Sequence, residues 1–265
     1  MGDVSPGTAY DRLAHLYDVD MARNMPFDDV GFYADLAART AGRVLEVGCG
    51  TGRIFLELLR RSVDAYGIDR SSVMLAELRR KGGARLDGRI CQMDARELAF
   101  CDVFSLVLCP YSIVTYMAAE HEAATMLSGI RKALTAQGRA VIDAFVPMPG
   151  IASETFRVDY RRPYGNAVLT RAKRVTSLGP HTNRIERRYE LTAADGTVLE
   201  RFGTCEDVRL FGPPALFELL VAAGFSIEAV WWDYASCEPP PHPRFFTVCA
   251  RKLPQPSQAG RELSP

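Results

Sequence analysis

The run VLEVGCGTGR at residues 44–53 constrains the fold more than any other part of this chain. It starts with apolar residues typical of a buried strand and passes through Gly48, Gly50 and Gly52 into an amphipathic segment typical of a helix. Glycine lets the backbone turn sharply and lets a ligand approach where a Cβ atom would collide. The run therefore predicts a strand, a ligand-binding turn and a helix in an α/β domain.

The same alternation of strand and helix continues through the first half of the chain. Apolar runs predict four further strands, at residues 63–69, 89–93, 103–110 and 139–146. Helical spacing predicts helices at 71–82, with Ser71 as the N-cap, and near 119–134. Two more helices, at 10–23 and 30–40, precede the first strand. Strands that alternate with helices predict a parallel sheet with right-handed crossover connections.

The pattern changes after residue 150. Four runs with partial alternation of apolar and polar residues, separated by turn signals, predict an antiparallel sheet: they are TFRVDYRR, AVLTRAKRVTS, TNRIERRYELTA and TVLERFGTCEDVRLF. Because the helix PALFELLVAAGF and the strands SIEAVWWDY and RFFTVCARK follow, this sheet is predicted to be an insertion. The predicted organisation is a helical cap at 1–42, a core at 43–150 and 212–252, an insert at 151–211 and a disordered tail at 253–265.

The spacing of the glycines indicates which class of ligand the turn binds. It is G-x-G-x-G, whereas the dinucleotide fingerprint G-x-G-x-x-G has its third glycine one residue later. Glu46 lies two residues before the first glycine, where its carboxylate would repel a pyrophosphate and attract a cation. A positively charged cofactor is therefore favoured over a dinucleotide, which disfavours a dehydrogenase. The alternative for a single glycine-rich turn is tight packing between strand and helix without a ligand.

This combination of residues resembles the class I S-adenosylmethionine-dependent methyltransferases. In that family an acidic residue and then G-x-G-x-G follow the first strand. A second acidic residue ends the second strand and binds the ribose hydroxyls, and a third, after the third strand, lies by the adenine amino group. The second and third of these acidic residues correspond to Asp69 and Asp94 in this chain. The resemblance implies a Rossmann-like fold with a seven-stranded, mostly parallel sheet and helices on both faces, plus the inserted antiparallel sheet. It also implies S-adenosylmethionine as cofactor and S-adenosylhomocysteine as product, bound by Tyr10, Glu46, Gly48, Gly50, Gly52, Asp69, Arg70, Asp94, Ala95 and Cys109.

The end of the fourth strand bears on the methyl acceptor. Family members that methylate planar amide nitrogens carry Asn-Pro-Pro-Tyr or Asp-Pro-Pro-Tyr there, and this chain has Cys109, Pro110 and Tyr111 in CPYSIVTYM. The sequence is more similar to small-molecule methyltransferases, including aminosugar N-methyltransferases, over about residues 10 to 252. The resemblance implies methyl transfer to an amine or a hydroxyl of a small molecule by in-line SN2 attack, with the insert on the acceptor side.

Four side chains are candidates for the catalytic step. The Tyr111 ring could form the pocket wall beside the sulfonium methyl group, and Tyr17 could close over the cofactor with Tyr10. Since the sulfonium methyl is already electrophilic, the protein must mainly align the reactants and exclude water, and a general base is optional. His15 and His242 could reach the mouth of the site as bases, although their context favours surface positions.

Charge and composition limit the other function classes. The chain has 32 basic and 32 acidic residues, so the bulk positive charge typical of nucleic-acid binding is absent. The insert carries a basic run, which we interpret as a solvated strand face balanced by acidic residues elsewhere: Arg161, Arg162, Arg171, Lys173, Arg174, Arg184, Arg187 and Arg188. Two alternatives stay open: a tRNA or rRNA methyltransferase that grips RNA with this run, and a non-catalytic S-adenosylmethionine-binding protein.

The cysteines and the hydropathy pattern indicate the compartment. Seven cysteines occur without a C-x-x-C pair or a Cys/His spacing that would form a zinc site, so no metal is predicted. No run of about 18 apolar residues predicts a membrane span. The expectation is a cytoplasmic protein that acts on a small molecule, with no membrane partner and nucleic acid disfavoured; a homodimer stays an open alternative.

Overall fold

The structure is a computed structural model that describes residues 8–22, 25–148 and 150–254. Its strands are β1 (Val44–Val47), β2 (Ala65–Asp69), β3 (Ile90–Gln92), β4 (Phe104–Cys109), β5 (Leu134–Phe145), β6 (Arg157–Tyr164), β7 (Ala167–Gly179), β8 (Thr182–Ala193), β9 (Val198–Arg209), β10 (Phe225–Trp232) and β11 (Phe245–Lys252). Its helices are α1 (Thr8–Leu13), α2 (Tyr17–Met21), α3 (Asp29–Ala38), α4 (Phe55–Arg60), α5 (Ser72–Gly82), α6 (Glu120–Ala133) and α7 (Pro213–Ala222).

Seven strands form the large sheet, in the order β10-β11-β5-β4-β1-β2-β3. The pairs among β1 to β5 are parallel, and β11 runs antiparallel to both of its neighbours. Apolar side chains of α6 and α7 pack on one face, and those of α3, α4 and α5 pack on the other. The predicted Rossmann-like fold, with a mostly parallel seven-stranded sheet covered on both faces, is confirmed.

The carboxyl ends of the parallel strands meet at one edge of the large sheet. Val47 lies opposite Ile68, and Asp69 lies opposite Gln92, so β1, β2 and β3 end side by side. The turns that follow these strands therefore converge, as they do in open α/β sheets that bind ligands at this edge. Ser71 caps α5 as predicted, because its hydroxyl accepts a hydrogen bond from the Met74 N–H at 3.1 Å.

The inserted residues form a separate antiparallel sheet in the order β6-β7-β8-β9, as predicted. It shares a hydrophobic cluster with the N-terminal helices, in which Leu13 and Leu16 pack with Leu169, Tyr189 and Leu191. Each fully buried side chain of this size contributes about 2 kcal/mol. The cap and the insert are therefore packed together, and they lie over the edge where the parallel strands end.

Several element boundaries differ from the predicted ones. The single helix predicted at 10–23 is two short helices separated by a turn at 14–16, which places Leu16 in the cluster under the insert. β5 starts at Leu134, five residues before its predicted start, because Leu134 already pairs with Phe104 of β4. The predicted disordered tail lies, beyond Pro254, outside the described residues. No described helix is long and apolar enough to cross a bilayer.

Candidate functional site

A cavity opens at the edge where the parallel strands end. Its volume, counted out to the solvent opening, is about 980 Å³. Residues from α1 and α2 and from the turns after β1, β2, β3 and β4 line it. The predicted site residues that line it are Tyr10, Tyr17, Gly48, Gly50, Asp69, Arg70, Asp94, Ala95 and Tyr111. The chain thus brings together nine residues that lie up to 101 positions apart in the sequence.

The glycine turn has two different functions along its length. Gly48 and Gly50 line the cavity and have φ angles of 71° and 53°, which residues with a side chain rarely adopt. Gly52 faces α5 instead, where a Cβ atom would lie 2.3 Å from Leu78 Cδ1. Gly52 is thus explained by close packing, and the prediction of a ligand-binding backbone applies to Gly48 and Gly50.

Asp69 lies at the end of β2, with its carboxylate beside the glycine turn. The Gly50 N–H donates to Asp69 Oδ2 at 2.9 Å, and the Ser71 N–H donates to Oδ1 at 2.8 Å. Burial raises the pKa of this carboxyl group, although the two backbone hydrogen bonds oppose the shift. A carboxylate offers about four acceptor positions, so each oxygen can accept another hydrogen bond. Asp69 is therefore placed and oriented to accept two hydroxyl groups.

Asp94 follows β3 and is held by Arg96, a cavity residue that sequence reasoning missed. Arg96 Nε donates to Asp94 Oδ1 at 2.9 Å, and Nη2 donates to Oδ2 at 2.6 Å. The Arg96 N–H also donates to Oδ1, and these bonds lower the pKa of Asp94. Oδ2 therefore has the remaining acceptor capacity, which suits a single donor such as an amino group. The run DARE was the available signal for Arg96.

Besides Gly52, two predicted cofactor residues are buried and are not among the residues lining the cavity. Glu46, on β1, is 2% exposed, and its Oε2 has no hydrogen-bond partner among the described residues. Burial raises the pKa of Glu46 well above its ordinary value. Cys109, at the end of β4, is fully buried, and burial likewise raises the pKa of its thiol. The unpartnered oxygen of Glu46 is an acceptor that a positively charged group near the turn would stabilise.

The two N-terminal helices are tied to the cavity by hydrogen bonds. The Ser71 hydroxyl donates to Asp11 Oδ1 at 2.5 Å, and the Thr51 hydroxyl donates to Asp18 Oδ1 at 2.6 Å. Tyr10 donates to the Tyr116 hydroxyl across the cavity at 2.9 Å. These bonds hold α1 and α2 over the turns after β1, β2 and β4, so the helices cover the cavity from the side of the insert.

Four tyrosines separate the cavity from a second pocket, here called the inner pocket, whose volume counted out to the solvent opening is about 350 Å³. Tyr10, Tyr17, Tyr111 and Tyr116 line both spaces, and they form the tyrosine wall. The Tyr10 ring meets those of Tyr17 and Tyr116 edge to face, with centroids 6.3 and 6.1 Å apart. Burial raises the pKa of Tyr10 and Tyr17 well above their ordinary value and that of Tyr111 to about 12, so these hydroxyls stay neutral at physiological pH.

Charged residues of the insert and of α2 line the far side of the inner pocket. Arg171 Nη1 donates to Asp20 Oδ1 at 2.8 Å, and Arg187 Nη1 donates to Glu206 Oε2 at 2.6 Å. Burial raises the pKa of Glu206, and Arg187 opposes that shift. The inner pocket therefore offers paired charges of both signs beside neutral phenols.

The basic run of the insert is balanced mainly by carboxylates of the same sheet. Arg174 pairs with Glu186, and Arg184 pairs with Asp207 on the adjacent strand. These two arginine side chains are 35% and 45% exposed, as expected of a solvated face, but their acidic partners lie in the same sheet and not elsewhere. The interpretation as a solvated face is wrong for Arg171 and Arg187, whose side chains are 10% and 17% exposed and line the inner pocket.

The two candidate histidines lie apart from both spaces. His15 Nε2 is 3.1 Å from Glu200 Oε2 at the surface, and His242 is exposed in the loop between β10 and β11. Neither lines the cavity or the inner pocket. Within the described ranges, no group of three or more His, Cys, Asp or Glu side chains is arranged to hold a metal ion.

Asp143 is a second residue that sequence reasoning missed. It is fully buried at the end of β5 and accepts hydrogen bonds from the hydroxyls of Tyr33 and Tyr234 and from the N–H groups of Tyr111 and Ser112. Burial raises its pKa to about 6, although the four donors oppose the shift. A lone carboxylate in the apolar run RAVIDAFV was the signal for it.

Comparison with known proteins agrees with this geometry. Residues 44–138 match the model of a family described as a methyltransferase domain. Over 234 residues the chain is 22% identical to a Bacillus subtilis protein named "Putative methyltransferase YqeM", covering 87% of this chain and 92% of that one.

Solved structures share the fold over nearly the whole chain. The CcbJ methyltransferase from Streptomyces caelestis superposes with a TM-score of 0.78 at 21% identity, covering 94% of this chain and 100% of that one. An amino pentose methyltransferase from Micromonospora echinaspora, solved with S-adenosylmethionine bound, superposes with a TM-score of 0.66 at 21% identity, covering 95% and 100%. The fold that the sequence predicts is thus shared with these solved structures.

Proposed function

We propose, from a core whose residues 44–138 match a methyltransferase domain, that this protein is an S-adenosylmethionine-dependent methyltransferase acting on an amine of a small polyhydroxylated molecule such as an amino sugar. One observation carries the proposal: the cavity at the strand ends and the inner pocket under the insert share the tyrosine wall. In-line transfer needs the amine nitrogen in direct contact with the sulfonium methyl carbon, so the two would meet between the rings of this wall, where the two spaces adjoin.

The residues around the cavity fit the cofactor. Asp69 has acceptor capacity for the two ribose hydroxyls, Asp94 has one acceptor position for the adenine amino group, and Gly48 and Gly50 leave room for close approach of the backbone. The electron-rich rings of the tyrosine wall suit a ligand with positive charge. When bound, S-adenosylmethionine supplies an electrophilic methyl group.

The inner pocket fits a polar acceptor with an amine. Asp20 and Glu206 can accept hydrogen bonds from an ammonium or from hydroxyls, and Arg171 and Arg187 can donate to ring or hydroxyl oxygens. The tyrosines present flat apolar faces and neutral hydroxyls, so they exclude water while they orient the acceptor. An amine needs only to lose a proton before attack, whereas a hydroxyl acceptor needs a general base; the carboxylates Asp20 and Glu206 are each held by an arginine, and neither candidate histidine lies there. An amine is therefore favoured over a hydroxyl.

The structure gives the alternative functions less support. RNA binding through the insert needs basic side chains that are available to phosphates, and Arg171, Arg174, Arg184 and Arg187 are paired with carboxylates. A non-catalytic S-adenosylmethionine-binding protein would need no inner pocket beside the tyrosine wall. A cytoplasmic location and a homodimer remain predictions from the sequence alone.

Calorimetry with S-adenosylhomocysteine tests the cofactor half of the proposal. We expect saturable one-to-one binding by the wild type and none by Gly50→Arg, because residue 50 has a φ of 53° and lines the cavity. Absence of binding by the wild type at millimolar ligand would contradict the proposal.

A screen with methyl-labelled S-adenosylmethionine tests the acceptor half. We expect label transfer to amino sugars by the wild type, no transfer by Gly50→Arg, and no transfer to matched sugars in which a hydroxyl replaces the amine. Transfer to tRNA or rRNA with steep salt dependence would favour the RNA alternative instead. Cofactor binding without turnover on any acceptor would favour the non-catalytic one.

A further inference from the structure

The turn that follows β4 has a left-handed backbone conformation that residues other than glycine rarely adopt. Tyr111 and Ser112 have φ angles of 55° and 57°, and neither is glycine. Two successive residues in this region need support from the surrounding structure. Their N–H groups point to the same side, where both donate to the carboxylate of Asp143.

Asp143 meets only donors. The Tyr111 N–H donates to Oδ2 at 2.9 Å, the Tyr33 hydroxyl donates to Oδ2 at 2.8 Å, and the Tyr234 hydroxyl donates to the same oxygen at 2.5 Å. The Ser112 N–H donates to Oδ1. A protonated carboxyl group would direct its own O–H at one of these groups, and the two backbone N–H groups cannot turn away. The arrangement is therefore complementary to the ionised form.

Three separate parts of the chain converge on this carboxylate. Tyr33 comes from α3, Tyr234 from the loop after β10, and Tyr111 and Ser112 from the turn after β4. The titratable and charged groups that act on Tyr111 from the side of the inner pocket are Tyr116, Asp20, Arg171 and Arg187. Those around Asp143 itself are Cys109 on β4, Asp29 on α3 with its ion-pair partner Arg53, and the three tyrosines that donate to it. Nothing in this set binds Asp143 as a cation, so the four donors must stabilise its charge.

Tyr111 connects this turn to the tyrosine wall. Tyr111 lines both the cavity and the inner pocket, so its ring position depends on the turn that Asp143 holds. We propose that Asp143 is a positioning residue whose ionised carboxylate holds the Tyr111–Ser112 turn and thereby sets the Tyr111 ring between the two spaces. This proposal deepens the proposed function, because the position of Tyr111 matters only if donor and acceptor meet there.

Fluorine NMR of the full chain labelled with 3-fluorotyrosine tests the proposal without any cofactor. The Tyr111 resonance is assigned from its loss in Tyr111→Phe and is followed from about pH 5 to about pH 8. We expect this resonance to move with a midpoint near pH 6 in the wild type and to lose that transition in Asp143→Asn. In Tyr234→Phe the midpoint should rise, since one donor that favours the charged carboxylate is gone.

Glu228→Gln is the matched control. Glu228 is a carboxylate of the same sheet, on β10, that pairs with Arg139 and Arg251 and bonds to neither Tyr111 nor Ser112. It should leave the Tyr111 resonance and its midpoint unchanged. An unshifted resonance in Asp143→Asn, or an unchanged midpoint in Tyr234→Phe, would overturn the proposal. If Asp143→Asn does not fold, the Tyr234→Phe result decides alone.

A second measurement separates this proposal from the proposed function. S-adenosylhomocysteine affinity at pH 8 should fall about tenfold in Asp143→Asn and stay unchanged in Glu228→Gln, because only the former displaces a cavity-lining ring. If the wild type does not bind S-adenosylhomocysteine, the proposed function fails, whereas the fluorine result stands by itself. If the wild type binds and Asp143→Asn binds equally well, the positioning role fails.

Discussion

The cavity and the inner pocket lie on opposite sides of one tyrosine wall but are built in different ways. The two cavity carboxylates are each held by a residue two positions along the chain: Asp69 accepts from the Ser71 N–H, and Asp94 is bound by Arg96. The inner pocket depends on pairs between distant side chains, such as Asp20 with Arg171, 151 residues apart. The first site follows from local motifs, and the second exists only because the insert packs on α1 and α2.

The charges of the two regions differ in the same way. The cavity carboxylates Asp69 and Asp94 retain acceptor capacity for a ligand, whereas the inner-pocket carboxylates Asp20 and Glu206 are each neutralised by an arginine. Cofactor binding should therefore respond to loss of a single carboxylate. The inner pocket should respond to imbalance of a buried pair.

The largest expected effect is a loss of stability that distinguishes a buried ion pair of the insert from an exposed one. Arg187→Leu leaves Glu206 as an uncompensated charge that is only 9% exposed, and it should lower the free energy of unfolding by about 3 kcal/mol. The matched control Arg184→Leu breaks an exposed pair on the same strand and should cost less than about 1 kcal/mol. Urea denaturation measures both. Equal losses would contradict the assignment of Arg187 to a buried pocket.

The next effect concerns the cavity. Asp69→Ala removes the carboxylate that holds the Gly50 and Ser71 N–H groups, and it should weaken S-adenosylhomocysteine binding about a hundredfold, since hydrogen bonds to charged groups contribute about 1.5 to 3 kcal/mol each. Asp64→Ala is the control. Asp64 directly precedes β2, is 46% exposed and pairs with Arg89. Calorimetry compares the two, and unchanged affinity in Asp69→Ala would refute the cofactor assignment.

The third effect is a pH dependence of stability. The pKa of Asp143 is raised to about 6 in the folded chain, so the folded state binds the extra proton more tightly than the unfolded state. Asp143 therefore contributes to the free energy of unfolding fully below the ordinary pKa of an aspartate. This contribution, about 3 kcal/mol at most, is lost as the pH rises through about 6. Unfolding of the wild type and of Asp143→Asn at about pH 4 and about pH 7 measures it. If the difference in free energy of unfolding between the wild type and Asp143→Asn does not change with pH, the raised pKa of Asp143 is excluded.

The smallest effects are expected at the histidines. His15→Ala and His242→Ala remove exposed side chains that line neither space, so methyl transfer should change less than about twofold. Tyr111→Phe is the internal comparison, since its hydroxyl belongs to the tyrosine wall. A loss of activity in either histidine variant, at unchanged stability, would return that histidine to the list of catalytic candidates.

The sequence predicted the parts of the site that depend on strand ends. Gly48, Gly50, Asp69 and Asp94 were identifiable because each ends or follows a strand that the sequence predicts, and the carboxyl ends of parallel strands meet at one edge of the sheet. Gly52 has the same appearance in the sequence and faces Leu78 instead of the cavity. Spacing alone does not reveal which glycine faces a ligand and which faces a helix.

What the sequence determined by itself was the core: the order of strands and helices, the inserted sheet and the carboxylates beside the glycine turn. Only the tertiary structure decided that Asp143 accepts from Tyr33, 110 residues away, that Arg187 and Glu206 are buried as a pair, and that four tyrosines divide one space from another. The physical reason is the range of the forces involved. Hydrophobic periodicity and backbone turns are local properties of the chain, whereas the burial of a charge and the identity of its partner depend on which elements pack against each other.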